Sequence, residues 1–190
     1  MSHDFAAKPV LTGELVTLRP FTEADLPAIA EVLNDPDVGR MTMSYTSTAE
    51  LEADHTGVED VREFYLRNAT ATDRLDLAIV DNANGAVVGE AVLNDYDAAT
   101  SSANFRILIG PAGRGRGLGT EATRLMTDHG LDVIGLHRIG LDVFSFNPAG
   151  RRAYSKAGFV YEGTKRDAAV FDGERIDEHF MSRLATDPRP

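Results

Sequence analysis

Residues 14 to 19 alternate apolar and polar positions as a half-buried strand does, and beyond them the period of the pattern changes repeatedly. Thr22-Glu-Ala-Asp25 is a near capping box. It precedes Leu26, Ile29, Ala30 and Leu33, which share one helical face and predict a first helix ending near Asn34-Asp-Pro36. Val38 to Thr46 has no period and reads as an irregular stretch. Ser47-x-x-Glu50 is a second capping box, and Leu51, His55, Val58, Val61 and Tyr65 form another helical stripe. Leu75, Leu77 and Ile79 then alternate, Asn82-Ala-Asn-Gly85 turns the chain, and Ala86 to Leu93 returns as the second arm of a hairpin.

Asn104 to Ile109 predicts one more strand. After it, Leu118, Ala122, Leu125, Met126 and His129 lie on one face of a helix that Gly130 is positioned to end, with His129 a partly buried helix residue rather than a catalyst. Ile139, Leu141 and Val143 alternate, Asn147 suits an N-cap, Pro148 suits the first turn, and Gly158 suits the close of the helix between them. Phe159 to Val170, the Asp172-Gly173 turn and Glu174 to Leu184 finish as a hairpin. The expected class is α+β: a mixed, mostly antiparallel central sheet with helices on both faces.

The 190 residues suffice for one domain with a sizeable core, spanning 1–190 with its ordered part from about 12 to 185. The first few residues and Asp187-Pro-Arg-Pro190 read as frayed. Asp and Glu number 30 against 19 Lys and Arg, a formal charge of −11. That balance disfavours wide contact with nucleic acid and draws cationic partners such as amines, or simply keeps the chain soluble. The absence of cysteine excludes disulfides, thiolate metal sites and a cysteine acyl-enzyme. The start of the chain lacks a positive region followed by an apolar run, and no stretch of about 18 apolar residues occurs, so no membrane contact and a cytoplasmic location are expected.

The chemistry concentrates in Ile109-Gly-Pro-Ala-Gly-Arg-Gly-Arg-Gly-Leu-Gly-Thr-Glu121, a glycine-and-arginine turn that runs into an amphipathic helix. Glycines at 115, 117 and 119 bare the backbone, so consecutive N–H groups can converge on phosphate oxygens beside the positive end of the helix dipole, with Arg114 and Arg116 adding charge. A Walker A loop is excluded because it needs a lysine. A dinucleotide fingerprint fails because Thr120 stands where its third glycine belongs. The segment does fit Arg/Gln-x-x-Gly-x-Gly/Ala, as Arg114-Gly-Arg-Gly117-Leu-Gly119.

That loop resembles the acetyl-CoA pyrophosphate loop of the GNAT superfamily of N-acetyltransferases. A second block, Asn147-Pro-Ala-Gly-Arg-Arg-Ala-Tyr154-Ser-Lys156-Ala-Gly158-Phe159, is similar to the superfamily's Asn…Tyr-x-Lys-x-Gly-Phe segment, and the two come in the family's order. With Glu14-Leu-Val-Thr-Leu-Arg-Pro-Phe and Asp172-Gly-Glu…Asp177…Met181-Ser-Arg-Leu184, the similarity covers nearly the whole chain and most resembles the branch that includes ribosomal-protein-alanine acetyltransferases. The resemblance implies acetyl-CoA as acyl donor, held by Arg114, Gly115, Arg116, Gly117, Leu118, Gly119 and Thr120. It also implies a splay between the Asn104 and Ile139 strands that makes a slot for pantetheine. Backbone groups near Ile107 and Ile109 would hold the arm and the thioester oxygen, and Asn147, Lys156 and Arg152 would approach the cofactor, although Asn147 serves equally as a cap and the two cations as solvated surface.

For catalysis the family position of the general acid falls on Tyr154, whose phenol, with an unperturbed pKa of about 10, stays protonated near neutral pH; packing against the sheet is its other reading. Many relatives carry a glutamate at the start of the strand before the loop, where this chain has Asn104, and a neutral amide takes no proton. Glu90 and Asp142 are the candidate bases, acting directly or through water, and otherwise read as strand carboxylates. Asp95 and Asp97 are candidates for attracting an amine, and Arg40, Met41, Met43 and Tyr45 for walling the acceptor pocket. Histidines at 3, 55, 129, 137 and 179 show no zinc spacing, and no Gly-x-Ser-x-Gly elbow exists. The expected function is direct acetyl transfer to a primary amine, on a small molecule or a protein N-terminus, by a homodimer. The alternative is a catalytically silent acyl-CoA-binding regulatory module.

Overall fold

The computed structural model describes residues 4–190, so His3 and most of the start expected to fray lie outside the described residues. Eight strands form one sheet: β1 (Leu11–Thr12), β2 (Val16–Arg19), β3 (Leu75–Asp81), β4 (Val87–Asp97), β5 (Ser102–Ile109), β6 (Arg138–Phe144), β7 (Val160–Phe171) and β8 (Glu174–Leu184), in the order β1-β2-β3-β4-β5-β6-β8-β7. Every neighbouring pair is antiparallel except β5 and β6. The β3–β4 turn sets Gly85 at φ +74, and the β7–β8 turn sets Asp172 at +48 and Gly173 at +81, left-handed values that match the twist of tight hairpins.

The β5–β6 pair creates the site. It is registered only at Ser102–Arg138, Ala103–Ile139 and Asn104–Gly140, whereas β5 runs on to Ile109 and β6 to Phe144. Over that further length β6 stays paired with β8, as far as Phe144–Glu178, so it carries the β8–β7 unit away from β5 and opens a wedge in the sheet.

Helices cover both faces. On one lies α5 (Leu118–His129), whose Leu118, Ala122 and Met126 sit in a core with Leu77, Ile79, Leu93 and Ile139. On the other lie α1 (Leu26–Leu33) and α4 (Val58–Asn68), which bury Leu26, Ile29, Val61 and Tyr65 against Ala78 and Leu108. A fully buried Leu or Ile contributes about 1.5–3 kcal/mol, so a few such side chains fix each helix in place. The chain further forms α2 (Pro36–Met41), α3 (Thr48–Ala53) and α6 (Pro148–Lys156).

Several local expectations are corrected. Part of the stretch read as irregular is α2, with Asp35 accepting from the Val38 amide at 3.1 Å and Pro36 in the first turn. The stripe from Leu51 to Tyr65 is two helices, because the Asn34 side chain exchanges two hydrogen bonds with the Thr56 backbone (2.8 and 2.7 Å) and Asp60 caps a new start at the Gly57 amide (2.7 Å). Gly130 closes α5 as its C-cap but not the helical run: from there the chain continues through a wider π turn to Ile134 and stops at Gly135, φ +84. A Cβ at Gly130 would come within 2.8 Å of Ile139 and 3.0 Å of Leu93, so close packing requires the glycine there. Outside the span 12–185, Phe5 is buried beside Tyr96, Asp187 accepts from the Leu184 amide and Arg189 pairs with Asp132.

Candidate active site

The glycine loop owes its shape to backbone conformation. Gly115 and Gly117 take φ +72 and +87, the left-handed region where a side chain is strained, and around Gly115 nothing lies within 4 Å of where a Cβ would sit. Gly117 opens α5 with no side-chain cap, so the first amides of the helix remain available to a ligand. Glu121, in that first turn, is turned away: its carboxylate accepts from the amides of Glu14, Leu15 and Val16 at 3.0, 2.7 and 2.8 Å. A Cβ on Gly13 would stand 2.6 Å from that carboxylate, which explains the glycine. An acidic side chain at a helix start thereby spares the loop its negative charge.

Neither loop arginine is a free cation. Arg114 donates to the Ile109 carbonyl (3.0 Å), to Asp37 (2.9 Å) and to Asp35, tying the loop to the start of α2. Arg116 is paired with the buried Asp81 at 2.5 Å, which holds that carboxyl below the usual range.

Beside the loop a cleft of about 410 Å³ runs into the wedge between β5 and β6. Gly115, Gly117, Gly119, Thr120 and Arg114 line one end, Ile107 and Ile109 one wall, and Asn147, Tyr154 and Lys156 the other; Arg152 and Asp142 also reach it, whereas Arg116 and the buried Leu118 side chain do not. The backbone orientation of β5 follows from its ends. The Ser101 carbonyl accepts from His137 on the β6 side, and the Gly110 amide donates to Val88 on the β4 side. Strand alternation then turns the polar backbone groups of Ile107 and Ile109 into the wedge, where β6 no longer pairs with them. Asn104 stands at the apex, its amide 3.2 Å from Asn94.

Asn147 caps α6 by accepting from the Gly150 amide at 2.8 Å, and it also lines the cleft. Tyr154 is half-buried against Phe105 and Phe159, with ring centroids 6.4 and 6.1 Å away, and its hydroxyl has no hydrogen-bond partner among the described residues. Burial pushes the phenol up to about 12. His129 lies on α5 outside this cleft, and burial lowers its pKa.

A second chamber of about 320 Å³ lies on the α4 face of the sheet, and Val38, Thr42 and Leu108 line both cavities. Glu90 lies at its buried base, accepting from the Tyr65 hydroxyl at 2.6 Å. Burial raises the Glu90 carboxyl, an effect that the Tyr65 hydrogen bond opposes. Of the other carboxylates, Asp142 faces the slot from β6 with its carboxyl raised by desolvation, while Asp95 and Asp97 lie past the still-paired end of β5 and β6. Asp97 is engaged there with Ala99 and Thr100. Among the expected wall residues, Met41 lines the first cleft and Tyr45 the second. Met43 lines neither. Arg40 is sandwiched between Phe146 and Phe171, 4.8 and 5.4 Å from the ring centres, and beside it Asp172 of the β7–β8 hairpin holds the Thr48 amide at 2.8 Å.

A sheet split at one end beside a bare glycine loop and an uncapped helix, with a polar chamber behind it, defines a transferase that brings an acyl-CoA to a second substrate. The chain belongs to the GNAT acetyltransferase family, whose domain model, "Acetyltransferase (GNAT) domain", matches residues 16–160. It is an N-acetyltransferase that uses acetyl-CoA as donor. It is 28% identical over 159 residues to spermidine N(1)-acetyltransferase of Escherichia coli (strain K12), covering 84% of this chain and 80% of that one. It is 30% identical over 103 residues to an L-amino acid N-acetyltransferase of the same organism, covering 53% and 64%. The fold matches the crystal structure of spermidine N-acetyltransferase from Vibrio cholerae in complex with CoA and spermine, with a TM-score of 0.79, 22% identity and coverage of 92% and 98%. These relatives are transferases acting on small molecules, so the ribosomal-protein-alanine branch is not singled out and the silent-module alternative is left without support.

Proposed function

We propose that the chain transfers acetyl directly to the primary amine of a small molecule held in the Glu90 chamber. The observation that carries this reading is the junction of the two cavities at Val38, Thr42 and Leu108, across which a thioester in the slot faces an amine beside Glu90. The donor pyrophosphate rests on the amides of Gly115 to Thr120, with Asn147 and Lys156 beside the arm and the Ile107 and Ile109 backbone along it. Arg114 and Arg116, each matched by aspartate, contribute loop shape more than charge.

The amine nitrogen attacks the thioester carbon, the N–C bond forms and the C–S bond breaks. Glu90 accepts the amine's proton, directly or through water, and the Tyr154 hydroxyl gives a proton to the departing thiolate. A phenol held near 12 is a weak acid, so its donation accompanies C–S cleavage instead of preceding it. The likeness to the ribosomal-protein-alanine branch would put a protein N-terminus in the same chamber.

The test is release of free thiol from acetyl-CoA by the purified chain with polyamines, amino acids, aminoglycosides and short peptides, products being confirmed by mass. Acceleration by a small amine is expected. Acceleration by peptides alone would replace the small-molecule reading, and tight donor binding with no acceleration by any class would overturn both.

A further inference from the structure

We infer that Arg106 makes this chamber selective for amines that also carry a carboxylate, Glu90 receiving the ammonium end and Arg106 the anionic end. This names the substrate class of the reading above and rests on it. Glu90 is registered opposite Leu108 and Val92 opposite Arg106, so Glu90 and Arg106 are diagonal neighbours on one face of the sheet. Both line the chamber.

Leu108 also borders the donor slot, which assigns the reacting amine to the Glu90–Leu108 end. Arg106 stands two residues back along β5, about 7 Å, and is exposed, which assigns the non-reacting end of the substrate to it. A chamber of about 320 Å³ lined by a carboxylate on one strand and a guanidinium diagonally across from it on the next suits a small dipolar molecule.

Arg106 is also unmatched. In a chain of net charge −11, Arg74, Arg114, Arg116, Arg138 and Arg183 all hold carboxylates, yet Arg106 has no ion pair or hydrogen bond among the described residues. Asp60, the other charged lining residue, is engaged by the Gly57 amide, and the Tyr45 hydroxyl is engaged by Asp54. What remains for a ligand's anionic group is the guanidinium, whose planar fork matches a carboxylate. A polyamine bound by one end at Glu90 would direct its next ammonium toward that like charge.

The experiment compares kcat/KM by thiol release for matched pairs that differ only in the carboxylate: L-phenylalanine with phenethylamine, L-methionine with 3-(methylthio)propylamine, and L-lysine with cadaverine, alongside spermidine. The carboxylated member of a pair is expected to be favoured at least 10-fold. Arg106→Gln should cut its kcat/KM by roughly 10- to 100-fold, the scale of a charge-assisted hydrogen bond, and leave the decarboxylated partner unchanged or faster. A melting curve near the parent's verifies that the exposed substitution leaves the fold intact. Preference for spermidine or the decarboxylated amines, or an unaltered preference in Arg106→Gln, overturns this inference alone. No acceleration by any amine overturns the transfer reading with it.

Discussion

Tyr65 donates a hydrogen bond of 2.6 Å to Glu90, so the buried carboxylate at the base of the second chamber is held by a phenol and not by a cation. Burial and the neighbouring Glu90 charge raise the Tyr65 phenol, which keeps it a donor, while burial raises Glu90 despite the bond.

The stability consequence has a definite sign. A carboxyl raised in the folded state favours the fold below its unfolded value and loses that contribution as pH climbs through its folded value. Glu90→Gln keeps an acceptor for Tyr65 and carries no charge. It is expected to melt higher than the parent at pH 8, by the order of 2–4 °C, with the gain fading below about pH 4.5. Thermal melts at both pH values check this, and no gain at pH 8 would contradict it. Turnover in the same variant should fall and lose the rise with pH that ionisation of Glu90 gives the parent.

Tyr154→Phe removes a hydroxyl that bonds to no other group among the described residues and keeps the ring contacts with Phe105 and Phe159. The fold therefore loses nothing, and the melting temperature and KM for acetyl-CoA should stay near the parent's. Turnover at saturating donor is expected to drop by about 10²-fold, the scale of general acid catalysis. A rate within about twofold of the parent would remove Tyr154 from the mechanism.

Gly119 separates room for phosphate from backbone strain. It needs no left-handed φ, and a Cβ there would make an ordinary 3.5 Å contact with Ile109, so Gly119→Ala should stabilise the chain by about 0.4–1 kcal/mol. Affinity for acetyl-CoA should nevertheless fall at least about 10-fold as the methyl group fills the approach to the helix amides. Gly117→Ala, strained at φ +87, should lose both stability and affinity. Calorimetry with unchanged affinity in Gly119→Ala would refute the cradle.

What the sequence made legible was local. The hairpin turns at Gly85 and Gly173, the Asn147 cap and the loop running into α5 each follow from a few adjacent residues whose backbone chemistry leaves little choice. What it hid was tertiary. The break between α3 and α4 depends on Asn34 reaching Thr56, and the engagement of Arg114 depends on Asp35, far away in the sequence. Glu121 holds the amides of Glu14 to Val16, a contact between distant stretches of chain that no local pattern reveals. Tyr65 and Arg106 sat within expected elements, yet only the register of β4 against β5 brings Arg106 beside Glu90 and Tyr65. Alternation along β5 does mark Arg106 and Leu108 as sharing a face, and that was the one available signal.

The two cavities share Val38, Thr42 and Leu108, yet each has exposed lining residues of its own, Gly115, Arg152 and Lys156 along the donor cleft and Asp60, Phe64 and Arg106 along the second chamber. With donor and amine seated as proposed, each substrate has its own doorway, and neither must wait for the other to enter or leave. On that reading the order of arrival is free, the spent donor need not depart before the acylated product, and the catalytic cycle becomes a meeting at one narrow window rather than a queue.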